Sequence, residues 1–496
     1  MRLSRLLEEI EYTCLQGDPD TEITKLVYDS REAEEGSVFV CMEGFRSDGH
    51  SFAAQAVSQG ARAIVVCKEV EVPKNVTVIF TEDSRLALAC MSAAFFGHPA
   101  RELTLIGITG TKGKTTTTYM IRDMLEAAGV RTGLIGTIEV VIGDEATPAD
   151  NTTPESYRLQ SYFRKMADAN VKVVVMEVSS QGLMLKRVSG FDFEIVVFTN
   201  IEPDHIGPGE HKDFEDYKRC KGLLFKSSRI GIANADDIHM HEVLDGSTCM
   251  LETFGTKPTA DLYATDIVID SGGGRLGVKF KVRGSMNFDA EVGIPGRFTV
   301  YNSLAAIAVC RHFDVPLAVI QEVLKGFNVK GRVELIDISP RFTLMIDYAH
   351  NAVSLKSLLS TLKEYDPKRL VCMFGCGGGR ARDRRYEMGE ISSKLAHLTV
   401  VTSDNPRHEE PQAIIDDIIV GVKRGRGEYT TVYDRKEAIR FCIKEARDGD
   451  MIVLAGKGHE DYQEICGVKY PMDERVLIAE ILAEMTPEER TELNRQ

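Results

Sequence analysis

Apolar residues in this chain group into short β-branched runs and longer stretches of helical period. SVFVCM at 37–42, ARAIVV at 61–66 and VTVIF at 76–80 are bounded by polar residues and predict strands, with helices between them. Residues 1–100 therefore read as a small α/β domain closing at the turn GHPA. From Leu103 the pattern becomes strand (LTLIGIT), glycine-rich turn, then a helix in which Met120, Ile121, Met124 and Leu125 share one face until Gly129. VKVVVMEV at 171–178 and FEIVVFTN at 193–200 have the continuous apolar character of strands covered on both faces, so residues 101–331 predict a doubly wound parallel sheet. Between Ala260 and Gly296 alternation predicts hairpins, with SGGGRLG and VRGS as turns. TLMID, LVCMFG, LTVVTS and MIVLAG, separated by helical segments, predict a second α/β sheet in residues 332–496.

Composition narrows the class of partner. The 496 residues carry 60 basic and 75 acidic side chains, a formal charge of −15, which attracts neither nucleic acid nor anionic lipid. An anionic substrate must then be held by locally placed cations. The N-terminus MRLSRLLEEIEYTC has glutamates where a signal peptide needs its apolar stretch, and no run approaches the ~18 apolar residues of a spanning helix, so a cytoplasmic protein is expected. The 11 cysteines are scattered and read as reduced core thiols.

The sharpest chemical signal is GITGTKGKT, Gly107 to Thr115, between a predicted strand and a predicted helix. Glycines there let backbone N–H groups close around a polyphosphate, Lys114 neutralises it, and Thr115 offers an oxygen to magnesium. Ile108 departs from the usual glycine at that position. The ends of the predicted strands are polar throughout, which is where ligands gather in open α/β sheets. They carry Glu177, Ser179 and Ser180, then Asp204-His205, and in the third domain Asp347-Tyr348-Ala349-His350, Gly375 to Arg380, Asp404-Asn405-Pro406-Arg407 and Gly456 to Glu460. Any one of these is ordinary loop punctuation; the whole series beside a phosphate loop is not.

Taken in order, the phosphate loop, EVSS, TNIEPDH, YNSLAA, GRVE, DYAHN, DNPR and AGKGHE, preceded by YDSR and DGHSF, resemble the Mur ligase family over essentially the whole chain. The resemblance implies three α/β domains: a small UDP-binding domain, a central P-loop ATPase-like parallel sheet, and a C-terminal Rossmann-like domain. It places Tyr28 and Ser30 on UDP, and Asn151, Thr152, Thr153, Ser179, Leu185 and Arg187 around a UDP-MurNAc-dipeptide. Thr109, Gly110, Thr111, Lys112, Gly113, Lys114 and Thr115 would hold ATP, with Asn302, Arg332 and Asp347. Thr115, Glu177, His205 and Lys221, the last as a carbamate, would bind magnesium, and Lys114 joins these three of Glu177, His205 and Lys221 in catalysis. Arg380, Asp404, Asn405, Pro406, Arg407, Gly456 and Glu460 would form the pocket for the added amino acid. Leu185, Gln181, Gly379 and Ala381 depart from the family pattern, and the segment after His205 is longer than usual.

The implied reaction is ATP-driven amide formation on the D-glutamate γ-carboxylate of UDP-MurNAc-L-Ala-D-Glu through an acyl phosphate, in the synthesis of peptidoglycan precursors by a monomer. Arg407 favours meso-diaminopimelate over L-lysine as the added amino acid, because only the former carries a far carboxylate for a guanidinium to grip. A folylpolyglutamate synthetase-like ligase and a non-catalytic nucleotide-binding assembly protein are the rival readings. The first hundred residues speak against the former, and Lys114, Glu177, His205 and Lys221 together against the latter.

Overall fold

The computed structural model describes residues 1–44, 47–207, 209–270 and 276–495. It divides into two compact units, Met1–Tyr263 with Tyr301–Ile320, and Ala264–Val300 with Gln321–Gln496. Among the described residues no helix is long and apolar enough to cross a membrane.

The first unit opens with strands β1 (Thr13–Gln16), β2 (Lys25–Val27), β3 (Ser37–Val40), β4 (Ala63–Val66) and β5 (Thr77–Phe80) in the order β1-β5-β4-β3-β2. The three runs expected as strands are β3, β4 and β5, all parallel; β1 is antiparallel to β5. One face buries Val38, Val40, Ala63, Val65 and Ile79 against Leu88 and Met91 of helix α1 (Ser84–Phe95), which Asp83 caps. His98, at φ 55, and a short 3-10 turn at Pro99–Glu102 lead into β6 (Thr104–Thr109).

Strand β6 lies inside a larger sheet with β7 (Thr132–Ile135), β8 (Glu139–Ile142), β9 (Glu145–Pro148), β10 (Val173–Glu177), β11 (Phe193–Phe198), β12 (Ser228–Asn234) and β13 (Met250–Gly255). Its order is β13-β12-β11-β6-β10-β7-β8-β9. The first six of these run parallel, and β8 and β9 form an antiparallel edge. Helix α2 (Lys114–Ala127) leaves β6 through the phosphate loop; Met120, Ile121, Met124 and Leu125 are wholly buried, and Gly129 at φ 81 ends the run. Helices α3 (Ser156–Asp168), α4 (Ser180–Met184) and α5 (Phe214–Gly222) carry further site residues.

In the second unit, β14 (Leu262–Asp270, from Ala264 on), β15 (Gly277–Gly284) and β16 (Phe288–Val292) supply the expected strands, β15 and β16 as an antiparallel hairpin with Gly284 at φ 97 in its turn. The remainder of SGGGRLG, residues 271–275, lies outside the described residues. The second sheet contains β17 (Glu334–Ile336), β18 (Thr343–Asp347), β19 (Arg369–Phe374), β20 (Leu398–Val401), β21 (Glu428–Thr431) and β22 (Asp450–Ala455), ordered β17-β18-β22-β19-β20-β21. All but β17 are parallel. Leu344, Ile346, Val371, Met373, Ile452 and Leu454 pack on Ile439 and Ile443 of one helix and Ile478 and Ile481 of another, forming the core on one face of the sheet. A hairpin, β23 (Tyr462–Ile465) and β24 (Val468–Pro471), follows β22. The cysteines are all unpaired, and seven are buried as expected, but Cys466 in this hairpin is exposed.

Candidate active site

The phosphate loop joins the C-terminal end of β6 to the N-terminus of α2. Two glycines are required there. A Cβ on Gly110, at φ 150, would stand 1.9 Å from Thr199 Oγ1, and one on Gly113, at φ 84, would stand 2.4 Å from Asn302 Oδ1. Lys114 folds back over the loop, its Nζ donating to the carbonyls of Gly110 (2.9 Å) and Thr111 (3.1 Å). Neighbouring strands brace the turn: Lys112 N donates to Asn200 Oδ1 at 3.0 Å, and Thr199 Oγ1 donates to the Lys112 carbonyl at 2.7 Å. Lys112 itself pairs with Glu202.

Glu177, last residue of β10 and wholly buried, receives hydrogen bonds from Thr115 Oγ1 (3.0 Å to each oxygen), Thr137 N (2.8 Å) and Thr137 Oγ1 (3.0 Å). A carboxylate and a hydroxyl in contact at the head of a phosphate loop form a set of oxygen donors that fits a hard cation such as magnesium. Lys221, on α5, is 1% exposed and donates to the same Gly110 carbonyl at 3.0 Å, with its Nζ 4.5 Å from the centre of the Tyr217 ring. Burial, and next the nearby Lys114 charge, hold its pKa well below the ordinary lysine value. Lys114, Thr115, Glu177 and Lys221 are thus brought to one loop.

His205 is placed differently. It stands at φ 54 in the long segment after β11, about half exposed, with Nδ1 3.2 Å from Glu210. The buried histidine of this segment is His211, which bridges Ser180 Oγ (Nε2, 2.8 Å) and Asp216 (Nδ1, 3.2 Å). Burial is the main cause lowering its pKa.

Of the residues expected around a UDP-linked dipeptide, Thr153, Ser179 and Arg187 are joined. Ser179 N donates to Thr153 Oγ1 at 2.9 Å, and Arg187 Nη1 to the Thr153 carbonyl at 3.0 Å. Thr152 Oγ1 meets Thr137 Oγ1 at 3.1 Å, Asn151 is exposed, and Leu185 is half-buried just past α4. Ser30 donates to Gln55 Oε1 at 3.2 Å, and the Tyr28 ring lies 6.2 Å from that of Tyr157. Glu155 was not anticipated, yet it joins Arg187 (3.3 Å) to Arg85 (3.8 Å) and, after burial, is the next cause raising the Tyr28 pKa. Its position directly after the Thr-Thr-Pro turn was the only signal.

In the second unit Asp347, at the end of β18, accepts from Val333 N (2.9 Å) and Ala349 N (2.8 Å), and Arg332 stacks 4.8 Å over Tyr348. The DNPR segment follows β20 and the GKGHE segment follows β22. Asp404 Oδ1 accepts from Asn405 N, Asn405 Nδ2 donates to Glu460 Oε2 at 3.0 Å, and Gly456, at φ 107, leaves room for Asp404. Gly378 N donates to the Asn405 carbonyl at 2.9 Å, so the glycine run that ends in the exposed Arg380 lies against Asn405 to Arg407. Arg407 forms an ion pair with neither Glu409 nor Glu410: its Nε binds Glu464 (3.1 Å) and its Nη1 the Gly378 carbonyl (2.6 Å). Glu409 instead pairs with the buried Arg385.

Comparison with known proteins follows the same segments. Residues 22–96 match the model of the Mur ligase family catalytic domain, 108–310 the Mur ligase middle domain, and 331–458 the Mur ligase glutamate ligase domain. The UDP-N-acetylmuramoyl-L-alanyl-D-glutamate–2,6-diaminopimelate ligase of Caldanaerobacter subterraneus subsp. tengcongensis is 41% identical over 98% of this chain and 99% of its own. The ligase of the same name from Clostridium botulinum is 39% identical over 98% of this chain and 100% of its own. A solved structure with that name superposes at TM-score 0.69 and 28% identity, covering 97% of this chain and 99% of the other.

Proposed function

The chain belongs to the Mur ligase family, and from that premise we propose that it adds meso-diaminopimelate to the D-glutamate γ-carboxylate of UDP-MurNAc-L-Ala-D-Glu at the expense of ATP. The relatives that match it end to end are named as ligases of UDP-N-acetylmuramoyl-L-alanyl-D-glutamate and 2,6-diaminopimelate. The observation that carries the choice of amino acid is Arg407. Glu464 on Nε and Gly378 on Nη1 fix the guanidinium plane, and the end edge, with both Nη groups, still has hydrogens for a carboxylate. L-Lysine in the same place would set an ammonium against that edge.

We infer three domains, 1–100 for UDP, 101–331 for ATP and 332–496 for the amino acid, with the substrate residues assigned above. The γ-carboxylate attacks the γ-phosphate of ATP and releases ADP. The amine of diaminopimelate then captures the acyl phosphate and expels phosphate. A carboxylate is a poor electrophile, so activation has to precede amide formation. Lys114 would neutralise the transferring phosphoryl charge, and the amides of the loop would bind the polyphosphate. Thr115, Glu177 and a carbamylated Lys221 would hold magnesium, which supplies further charge neutralisation when bound. His205, which is turned to Glu210, would have to leave that contact to join the set. The experiment is an amino-acid panel scored by ATP-dependent addition to UDP-MurNAc-L-Ala-D-Glu. Diaminopimelate should exceed L-lysine by at least tenfold in kcat/KM; equal use, or a preference for lysine, defeats the reading.

A further inference from the structure

Lys457 lies inside GKGHE between the two residues already placed in the amino-acid pocket, and its side chain is wholly buried. A buried ammonium must satisfy three N–H donors. Here the acceptors are Asn405 Oδ1 (2.9 Å), Glu460 Oε2 (2.7 Å) and the Tyr462 carbonyl, with the Tyr462 ring 5.0 Å away. All three donors are consumed, so Lys457 has none left for a substrate. Its effect falls on its neighbours.

That effect is specific. Asn405 Oδ1 accepts from both Lys457 Nζ and Glu464 N (2.9 Å), which fixes the amide and aims Nδ2 at Glu460 Oε2. Glu460 Oε2 therefore takes two bonds, from a cation and an amide, and its carboxylate plane is set by them. The clamp does not engage Oε1. Behind it, Arg435 is buried against Glu474 (2.8 Å) and binds the carbonyls of Ser403 and Ala455 at 3.0 Å, so the strand ends that carry Asp404 and Gly456 are anchored too.

We propose that Lys457 is a positioning residue for the incoming amino acid, locking Glu460 and Asn405 so that Glu460 Oε1 is the oxygen presented to an ammonium of the substrate. This rests on the reading of the pocket above. Without Lys457 the Glu460 carboxylate would rotate among rotamers, and Asn405 could flip, so the cost should fall on the amino acid alone.

The experiment is a double-mutant cycle of Lys457→Met and Glu460→Gln in the full chain, with KM measured separately for ATP, UDP-MurNAc-L-Ala-D-Glu and diaminopimelate. Wild-type turnover with diaminopimelate is the first arm, and its absence sinks the functional reading rather than this one. Given turnover, Lys457→Met should raise the KM for diaminopimelate at least tenfold and leave the other two within twofold. In the Glu460→Gln background the same change should cost less than threefold. A loss of thermal stability with all three KM values unmoved, or equal losses in both backgrounds, overturns the proposal. If Lys457→Met does not fold, Lys457→Leu, which likewise removes the donor toward Glu460, is measured in the same cycle with the same criteria.

Discussion

Lys221 is a lysine denied water, resting on a carbonyl of the phosphate loop beside a second lysine. Those surroundings favour the neutral amine, the form that reacts with carbon dioxide to give a carbamate and a proton. The expected outcome is a carbamylated residue in the active enzyme. Lys221→Ala should lose at least about a hundredfold in kcat, and short-chain carboxylic acids should restore part of it; a mutant that keeps full activity, or one that no carboxylic acid rescues, contradicts the assignment. Arg407 makes the second residue-scale prediction. A charged hydrogen-bonded contact is worth roughly 1.5–3 kcal/mol, so Arg407→Ala should reduce the preference for diaminopimelate over L-lysine about ten- to a hundredfold. Unchanged selectivity would remove Arg407 from the specificity determinants. At this scale the sequence revealed residue types at strand ends but not their partners. Glu464 on Arg407, Thr137 on Glu177 and Asn405 on Lys457 all lie where long-range packing puts them, and no local pattern announces such pairs.

The strand-loop-helix element shows what a local pattern does announce. β6 reads as a strand because its apolar run is continuous and buried on both faces, and α2 reads as a helix because four apolar residues repeat at helical spacing. The glycines between them follow from sterics that the structure makes explicit. Gly113→Ala should lower the thermal midpoint, costing roughly 1–2 kcal/mol for the left-handed backbone before the contact with Asn302 is counted. Lys114→Ala alters no such constraint, so its product should fold and bind the UDP-linked substrate yet fail to turn over. Near-normal product formation by folded Lys114→Ala enzyme would contradict the phosphate-loop assignment. Several elements escaped the pattern, β9 and the hairpin of β23 and β24 among them. These strands are largely exposed, so selection for burial has left no alternation to read.

At the scale of the molecule, a boundary along the chain is not a boundary in packing. The turn near residue 100 separates two sheets, yet both fall in one compact unit, because Tyr28 meets Tyr157, Lys186 meets Asp83, and Glu155 holds Arg85 and Arg187. Side chains scattered over more than a hundred residues make that junction, which periodicity cannot foresee. For a chain of net charge −15, the proposed use of ATP and a UDP-linked acid calls for locally placed cations: Lys114 and Lys221 share one carbonyl, while Arg407 sits against Glu464. In the proposed mechanism the phosphoryl transfer and the amine capture are separate events, served by different residues. Leaving out diaminopimelate should therefore stop steady-state phosphate release, to below about a tenth of the complete reaction, without stopping activation. Hydroxylamine added in its place should yield a hydroxamate of the UDP-linked dipeptide, since the acyl phosphate meets a different amine. Hydroxamate absent under conditions that support normal product formation would mean that the carboxylate is not activated as a free-standing acyl phosphate, and that the two steps are one.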